Sequence, residues 1–196
     1  MFSADDGVLA ERLRAKVLEG WRHEVMPNPD DLVNTNPDAK TVRRYFERRP
    51  ATAVNFDDLE IENEFPLHSL TPRAIRYYLQ CYLLLCLDLN RQIARARNPQ
   101  FNYHPQISHF CYTAPQLCRL HEQIGLTRCQ TECVCAVVEF LHGHCAQYNL
   151  VDAYYWAWDR RRPLRRALRC YRRRLAQWKN GDGGRFTPPS LVARGR

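Results

Sequence analysis

The sequence predicts an all-α fold, a single-domain bundle of about six helices. Two helix starts support this: Thr71 precedes Pro72, which suits a first helical position, and Thr127 precedes Gln130, the third residue of its helix. Each Thr is expected to cap a long apolar helix. Near the start of the chain, apolar residues recur every four positions, as a buried helical stripe requires: Leu9, Leu13, Val17, Trp21 and Val25.

The first seventy residues predict a long helix, a short helix and an acidic segment. Ser3 is expected to cap the long helix, and Met26-Pro27-Asn28-Pro29 ends it. A short helix is expected from Ala39 to Arg48. Residues 51–69 alternate acidic with apolar residues, which favours either an extended segment or a frayed helix.

The middle of the chain contains the most apolar helix. Residues 72–90 are apolar nearly all round, which is typical of a central helix. Residues 98–110 contain two prolines and predict a loop. Thr113 is expected to cap a short helix that ends before Gly125. The helix opened at Thr127 is expected to continue to about Tyr148, with Cys129 and Cys133 in its buried stripe.

The end of the chain predicts an arginine-rich helical extension. It covers residues 151–179, and Pro163 is expected to be the first residue of its last helix. The helical domain then covers residues 1–179. Residues 180–196 are rich in Gly, Pro and Arg and predict a flexible tail.

The helix-start motifs resemble those of a family of small all-helical bacterial proteins of uncharacterised function. The residues Leu70-Thr71-Pro72-Arg73-Ala74-Ile75-Arg76-Tyr77-Tyr78-Leu79 match its helix motif, and Leu126-Thr127-Arg128-Cys129-Gln130 with the later Phe140-Leu141 match a second one. The family pattern has Pro where this chain has Gln80, and an aromatic residue in place of Ile75. The resemblance covers about residues 8–148.

This resemblance implies a shared helical fold more than a shared activity, since its motifs are caps and core residues. Small helical bacterial proteins of this kind often serve as binding partners, including as immunity proteins against toxins. The resemblance therefore implies a protein-binding module with an immunity-like or antitoxin-like role.

Composition favours a cytoplasmic protein without a membrane segment. Residues 1–20 begin with acids and lack the apolar run of a signal peptide. The most apolar run, Leu79 to Leu89, is about half as long as a membrane-spanning helix. The chain has nine cysteines, an odd number, and most of them fall within helical patterns. We expect them to be reduced thiols that act as small apolar side chains.

No catalytic motif is present, so the sequence predicts a protein that is not an enzyme and needs no cofactor. It contains no Gly-rich phosphate loop, no G-x-S-x-G and no H-E-x-x-H. One cluster keeps a metal or thiol enzyme open as a third hypothesis: Cys129, Cys133, Cys135, His142, His144 and Cys145. Its spacing fits a helical apolar stripe better than a zinc knuckle, and we predict no metal site.

The strongest surface feature is a run of arginines near the end of the chain. The net charge is +8, but residues 1–70 carry 9 Lys and Arg against 14 Asp and Glu. From Arg160 to Lys179 there are nine Arg, one Lys and no acid. Five predicted binding residues lie on or near the face opposite the apolar one: Arg165, Arg166, Arg169, Arg172 and Arg173.

Like charges one helical turn apart repel, so this run predicts a compensating anion. An acidic protein partner, such as a toxin or effector, is the favoured source, with Tyr154 and Trp156 beside the run as further binding residues. Nucleic acid phosphates are the alternative. The chain's own acidic segment, Asp57 to Glu64, is a third source.

Overall fold

Helices make up most of the chain that the computed structural model describes, which comprises residues 2–34, 39–56, 66–96, 105–145 and 161–179. In order they are α1 (Ala4–Gly20), α2 (Ala39–Phe46), α3 (Pro66–Ser69), α4 (Pro72–Cys86), α5 (Leu89–Ala96), α6 (Pro105–Arg119), α7 (His121–Ile124), α8 (Arg128–Gly143) and α9 (Arg161–Lys179). Across these ranges the only strand-like pairing is one isolated bridge between Val33 and Leu70. The all-α prediction is confirmed.

Helix α4 lies at the centre, as predicted. It contacts α1, α6, α7 and α8, and eleven of its fifteen residues are buried. The Thr71 side chain caps it by accepting a hydrogen bond from the backbone N of Ala74 at 3.2 Å. The predicted end at residue 90 is wrong. Asp88 accepts from the backbone N of Arg91 at 3.1 Å and opens a separate helix, α5.

The predicted caps of α1 and α8 are confirmed. Both starts form a complete capping box, Ser3 with Asp6 and Thr127 with Gln130. The ends were predicted less well. Helix α8 ends at Gly143 rather than about residue 148, and α2 ends two residues before Arg48, whose φ is +58°.

The stripe predicted on α1 is right in its middle and wrong at its ends. Leu13, Val17 and Trp21 are buried, but Leu9 is 41 % exposed and Val25 is 73 % exposed. Each step of four residues turns a helix by about 40° beyond a full circle, so a long row of such steps leaves the core face. Val25 also lies beyond the end of α1.

The loop and cap predicted between residues 98 and 124 are wrong where the structure describes them. Residues 105–110 are helical, and Thr113 lies inside α6. Its hydroxyl donates to the backbone O of His109 at 3.0 Å, so it bonds back along the helix instead of capping. The predicted end at Gly125 is confirmed: this residue has φ +70° and closes α7.

The cysteines correct two predictions. All nine lie in the described ranges, and Cys118 forms a disulfide with Cys170, joining α6 to α9 with Cα atoms 6.3 Å apart. The expectation of nine reduced thiols is therefore wrong for this pair. Six of the seven free cysteines are buried, as expected. Cys129 is exposed, so it does not belong to the buried stripe of α8.

Helix α9 carries its apolar residues inward, as predicted, with Leu164, Leu168 and Tyr171 buried. It already includes Arg161, so Pro163 is not its first residue as predicted. Three other predictions lie outside the described residues: the acidic segment 57–64, the helix before residue 161, and the tail 180–196. No helix in the described ranges combines the length and apolarity needed to cross a bilayer.

Candidate functional site

The arginine-rich helix α9 is fixed against α6 and α8 by its apolar face. Leu164, Ala167, Leu168 and Tyr171 are buried there. The Tyr171 hydroxyl donates to the backbone O of Ala114 in α6 at 3.4 Å, and the disulfide adds a covalent link to the same helix. Because one face of α9 is held in this way, its other side chains point outward from a fixed backbone.

The helical pitch divides the predicted arginines between two sides of α9. At about 100° per residue, Arg166, Arg169 and Arg173 lie within one arc of about 60°. Arg165 and Arg172 lie further round, on the side that faces α8. Accordingly, the Arg172 guanidinium forms an ion pair with Glu139 of α8. The predicted binding residues thus form two groups rather than one surface.

The first group lines an open cleft of about 480 Å³ between α9 and Glu122 of α7. Its lining residues are Glu122, Arg166, Arg169, Cys170, Arg173, Arg174 and Gln177. Four guanidinium groups face one carboxylate, so the cleft carries a net positive charge. Arginine forks bind carboxylates and phosphates in a bidentate geometry, so the cleft suits an anion.

The charges in this cleft are only partly neutralised. The Arg174 side chain is half-buried, lies 3.4 Å from the Glu122 carboxylate, and donates through Nε to the backbone O of Cys118 at 3.2 Å. Within the described ranges, no carboxylate lies within 4 Å of Arg166, Arg169 or Arg173. About three positive charges therefore face solvent with no anionic partner among these residues.

The structure therefore sorts the predicted binding residues. It brings Arg166, Arg169 and Arg173 together in the cleft and leaves Arg165 and Arg172 outside it. The two aromatic residues predicted beside them, Tyr154 and Trp156, lie outside the described residues.

Sequence reasoning missed Arg174, which forms one wall of the cleft. A helical wheel places it about 20° from the buried Ala167, on the apolar side of α9. Arg174 follows Cys170 by four residues, so the two share the edge of the helix that meets α6. The disulfide identifies that edge, and no local signal in the sequence marks it.

A buried histidine precedes Glu122, the carboxylate that lines the cleft. His121, at the start of α7, is 5 % exposed, and its Nε2 lies 2.7 Å from the Thr131 hydroxyl. That hydroxyl donates to the backbone O of Thr127, so the His121 Nε2–H donates to it. Burial, and next the Arg174 charge, lower the pKa of His121 to about 4. The ring is therefore neutral at pH 7.

The cysteine and histidine cluster predicted on α8 does not converge on one point. The thiols of Cys129 and Cys133 lie side by side over Gly20, and burial raises the pKa of Cys133 to about 12. His144 instead pairs with Asp6 of α1, with Nε2 and Oδ1 2.9 Å apart. In the part of the chain that the structure describes, no three His, Cys, Asp or Glu side chains are placed to hold a metal ion.

Comparisons of the chain with protein-family models, with curated proteins and with solved structures find no match. The resemblance to the small helical bacterial family therefore stays a prediction. Functional inference depends on the cleft itself.

Proposed function

We propose that the protein is a non-enzymatic binding module that engages an acidic surface of a partner protein through the α9 cleft. The observation that carries this proposal is the group of three cleft arginines, Arg166, Arg169 and Arg173, which have no carboxylate partner among the described residues. An acidic partner supplies the missing charge. Such complementarity raises association rate and specificity more than raw affinity.

The attachment of α9 supports the proposal because it lowers the cost of binding. The buried Tyr171 and the disulfide to Cys118 hold the helix in place before any partner arrives. Less backbone freedom is lost on association when the binding residues stand on a fixed element. Only the arginine side chains then have to become ordered.

The specific role that we propose is immunity-like or antitoxin-like. Nuclease toxins present basic active sites, so a basic inhibitor does not match them electrostatically. We therefore propose a toxin or effector whose functional surface is acidic. The cytoplasm is the expected location of this encounter.

Nucleic acid is the alternative partner, because a row of arginines on one helix also suits phosphates. The carboxylates beside the row argue against it. Glu122 lines the cleft, and Glu139 lies beside Arg172 on the α8 side. Both repel a polyanion, whereas a protein surface can place its acids between them.

The test is a pull-down of the tagged protein from a lysate of its own host, with and without nuclease. Three proteins are compared: the native chain, Arg166→Glu with Arg173→Glu, and a matched control, Arg12→Glu with Arg44→Glu. Both variants change the net charge by the same amount, but the control arginines are exposed residues of α1 and α2. Circular dichroism checks that all three are folded.

We expect one protein to survive nuclease treatment with the native chain and the control, and to be lost with the cleft variant. The purified partner should then bind 1:1 in calorimetry and be displaced by salt. If all three proteins captured the partner equally, the cleft would not be its binding site. Recovery of nucleic acid, with everything else lost on digestion, would replace it with phosphate binding.

A further inference from the structure

The disulfide forms part of the cleft wall, and its two cysteines differ in exposure. Cys170 is partly exposed and lines the cleft, whereas Cys118 is 0 % exposed behind it. Thiol–disulfide exchange requires a thiolate to approach one sulfur of the bond. A molecule in the cleft therefore meets Cys170 before Cys118.

The positive charge of the cleft favours anionic molecules over neutral and cationic ones. Arg166, Arg169, Arg173 and Arg174 line the same space as Cys170, against one carboxylate. A basic cleft concentrates anions, and nearby cations favour a thiolate over a thiol. The same groups that would hold an acidic side chain would hold the carboxylate or sulfonate of a small thiol.

We infer that the Cys118–Cys170 disulfide is an exchange site for small anionic thiols. The thiolate of the small molecule attacks Sγ of Cys170 and forms a mixed disulfide there. The Cys118–Cys170 bond breaks, and the Cys118 sulfur leaves as a thiolate, which takes up the proton released when the small thiol ionised. One S–S bond forms as one breaks, so the step needs no further oxidant or reductant.

Exchange would place a covalently held anion in the cleft while α9 stays docked. The hydrogen bond from Tyr171 to Ala114 and that from Arg174 to the Cys118 carbonyl do not involve the sulfurs. The cleft would then be occupied by the small molecule. This inference does not require the protein partner proposed above, because it concerns the disulfide and its arginines alone.

The first experiment compares three thiols that share a mercaptoethyl group and differ in charge. They are 2-mercaptoethanesulfonate, 2-mercaptoethanol and cysteamine, supplied at low ionic strength and at equal thiolate concentration. Acid quenching, alkylation and peptide mapping by mass spectrometry locate the mixed disulfide. We expect it on Cys170, and we expect the sulfonate to react about tenfold faster than cysteamine, since charged clefts raise on-rates by such factors.

Charge reversal shows whether the arginines cause this preference. In Arg166→Glu with Arg173→Glu, cysteamine should react faster than the sulfonate. The matched control, Arg12→Glu with Arg44→Glu, should keep the native order. Raising the salt to about 0.5 M should bring the rates of the two charged thiols together, because salt screens exposed charges.

The freed Cys118 thiol can attack the mixed disulfide and re-form the native bond before it is detected. A second variant removes this back-reaction. Cys118→Ala leaves Cys170 as a free thiol, which is then treated with the symmetrical disulfides of the same reagents. Cys129, an exposed free thiol on α8, serves as a reference within the same molecule. We expect Cys170 to prefer the anionic reagent over the cationic one by a larger factor than Cys129 does.

Two results would overturn the inference. One is a mixed disulfide that maps to Cys118 in the native protein. The other is an equal rate for anionic and cationic reagents, both at the native disulfide and at Cys170 in Cys118→Ala. Neither result would affect the pull-down, so the two proposals can fail separately.

Discussion

Two arginine sites in this protein use the same side chain in opposite ways. In α4, Arg76 donates from Nε and Nη2 to one Glu24 oxygen, at 2.8 and 2.5 Å, and the two side chains are 34 % and 17 % exposed. In α9, Arg166 and Arg173 are exposed, with no carboxylate within 4 Å among the described residues. The first site is complete within the described residues, whereas the second has no anionic partner among them.

The difference teaches what each site contributes. Glu24 also accepts from the Gln130 amide at 2.8 Å, and the Trp21 ring N–H donates to the Arg76 carbonyl at 2.6 Å. The Arg76 site therefore joins the end of α1 to α4 and α8. Arg166, Arg169 and Arg173 form no ion pair with the described residues, and their mutual repulsion costs a few tenths of a kcal/mol per pair. Charge in the first site supports the fold, and we propose that charge in the second supports binding.

Of the substitutions considered, removal of Arg76 should have the largest effect on stability. Arg76→Ala leaves the half-buried Glu24 carboxylate without its cation, so we expect the free energy of unfolding to fall by about 3 kcal/mol. For a chain of this length the melting temperature should fall by about 6 to 12 °C. Thermal and urea unfolding, followed by circular dichroism, measure both quantities.

The matched change in the cleft is Arg173→Ala, which should alter the free energy of unfolding by less than about 0.5 kcal/mol. If Arg173→Ala destabilised the protein as much as Arg76→Ala, the cleft would be part of the folding core. The distinction between the two sites would then be wrong.

Acid should lower the stability of the fold through the buried ring of His121. The pKa of His121 is about 4 in the folded protein against 6.5 as its ordinary value, so between these values the unfolded chain binds more protons. The free energy of unfolding should therefore fall as pH drops from 6.5 towards 4. We expect His121 to account for about 2 kcal/mol of that fall.

The measurement is urea unfolding at several pH values between 7 and 4, for the native protein and His121→Gln. Glutamine does not titrate, so the variant should lose less stability across this range. The carboxylates contribute equally to both proteins over the same range. Parallel pH curves would show that His121 is not held neutral by its burial.

The smallest effect is expected from Glu122, the carboxylate of the cleft. Its side chain is 74 % exposed, so Glu122→Gln should change the free energy of unfolding by less than about 0.5 kcal/mol. The substitution also removes the negative charge that opposes an anion. Binding of the acidic partner should therefore tighten by about threefold.

Calorimetric titration at low salt measures this change, and Glu132→Gln on α8 provides a control of equal charge. Glu132 pairs with Arg128 and lies outside the cleft. Equal tightening by both variants would indicate a general charge effect and not one of the cleft.

The sequence predicts well those features that depend on neighbouring residues. The Thr71 cap, the capping box of Thr127 with Gln130, and the outward face of the last helix follow from local spacing, and the structure has all three. Local rules also gave errors. Thr113 has the residue type of a cap, but its position inside α6 depends on where the helix begins, eight residues earlier.

Features that depend on distant residues could not be predicted. Cys118 and Cys170 are 52 positions apart, as are Glu24 and Arg76. With nine cysteines, nothing local marks two of them as a pair. The position of Arg174 likewise depends on how α9 packs against α6. The sequence therefore predicted Arg166, Arg169 and Arg173 but not the residue beside them in the cleft.

The disulfide also determines how the chain would respond to a pulling force. If the two ends were drawn apart, the load would pass from Cys118 to Cys170 through the sulfurs, so the 51 residues between them would bear no tension. At about 3.5 Å per extended residue, roughly 180 Å of contour length stays hidden while that bond is intact. Single-molecule stretching with and without reductant would therefore distinguish the intact from the broken disulfide by the contour length of the unfolded chain.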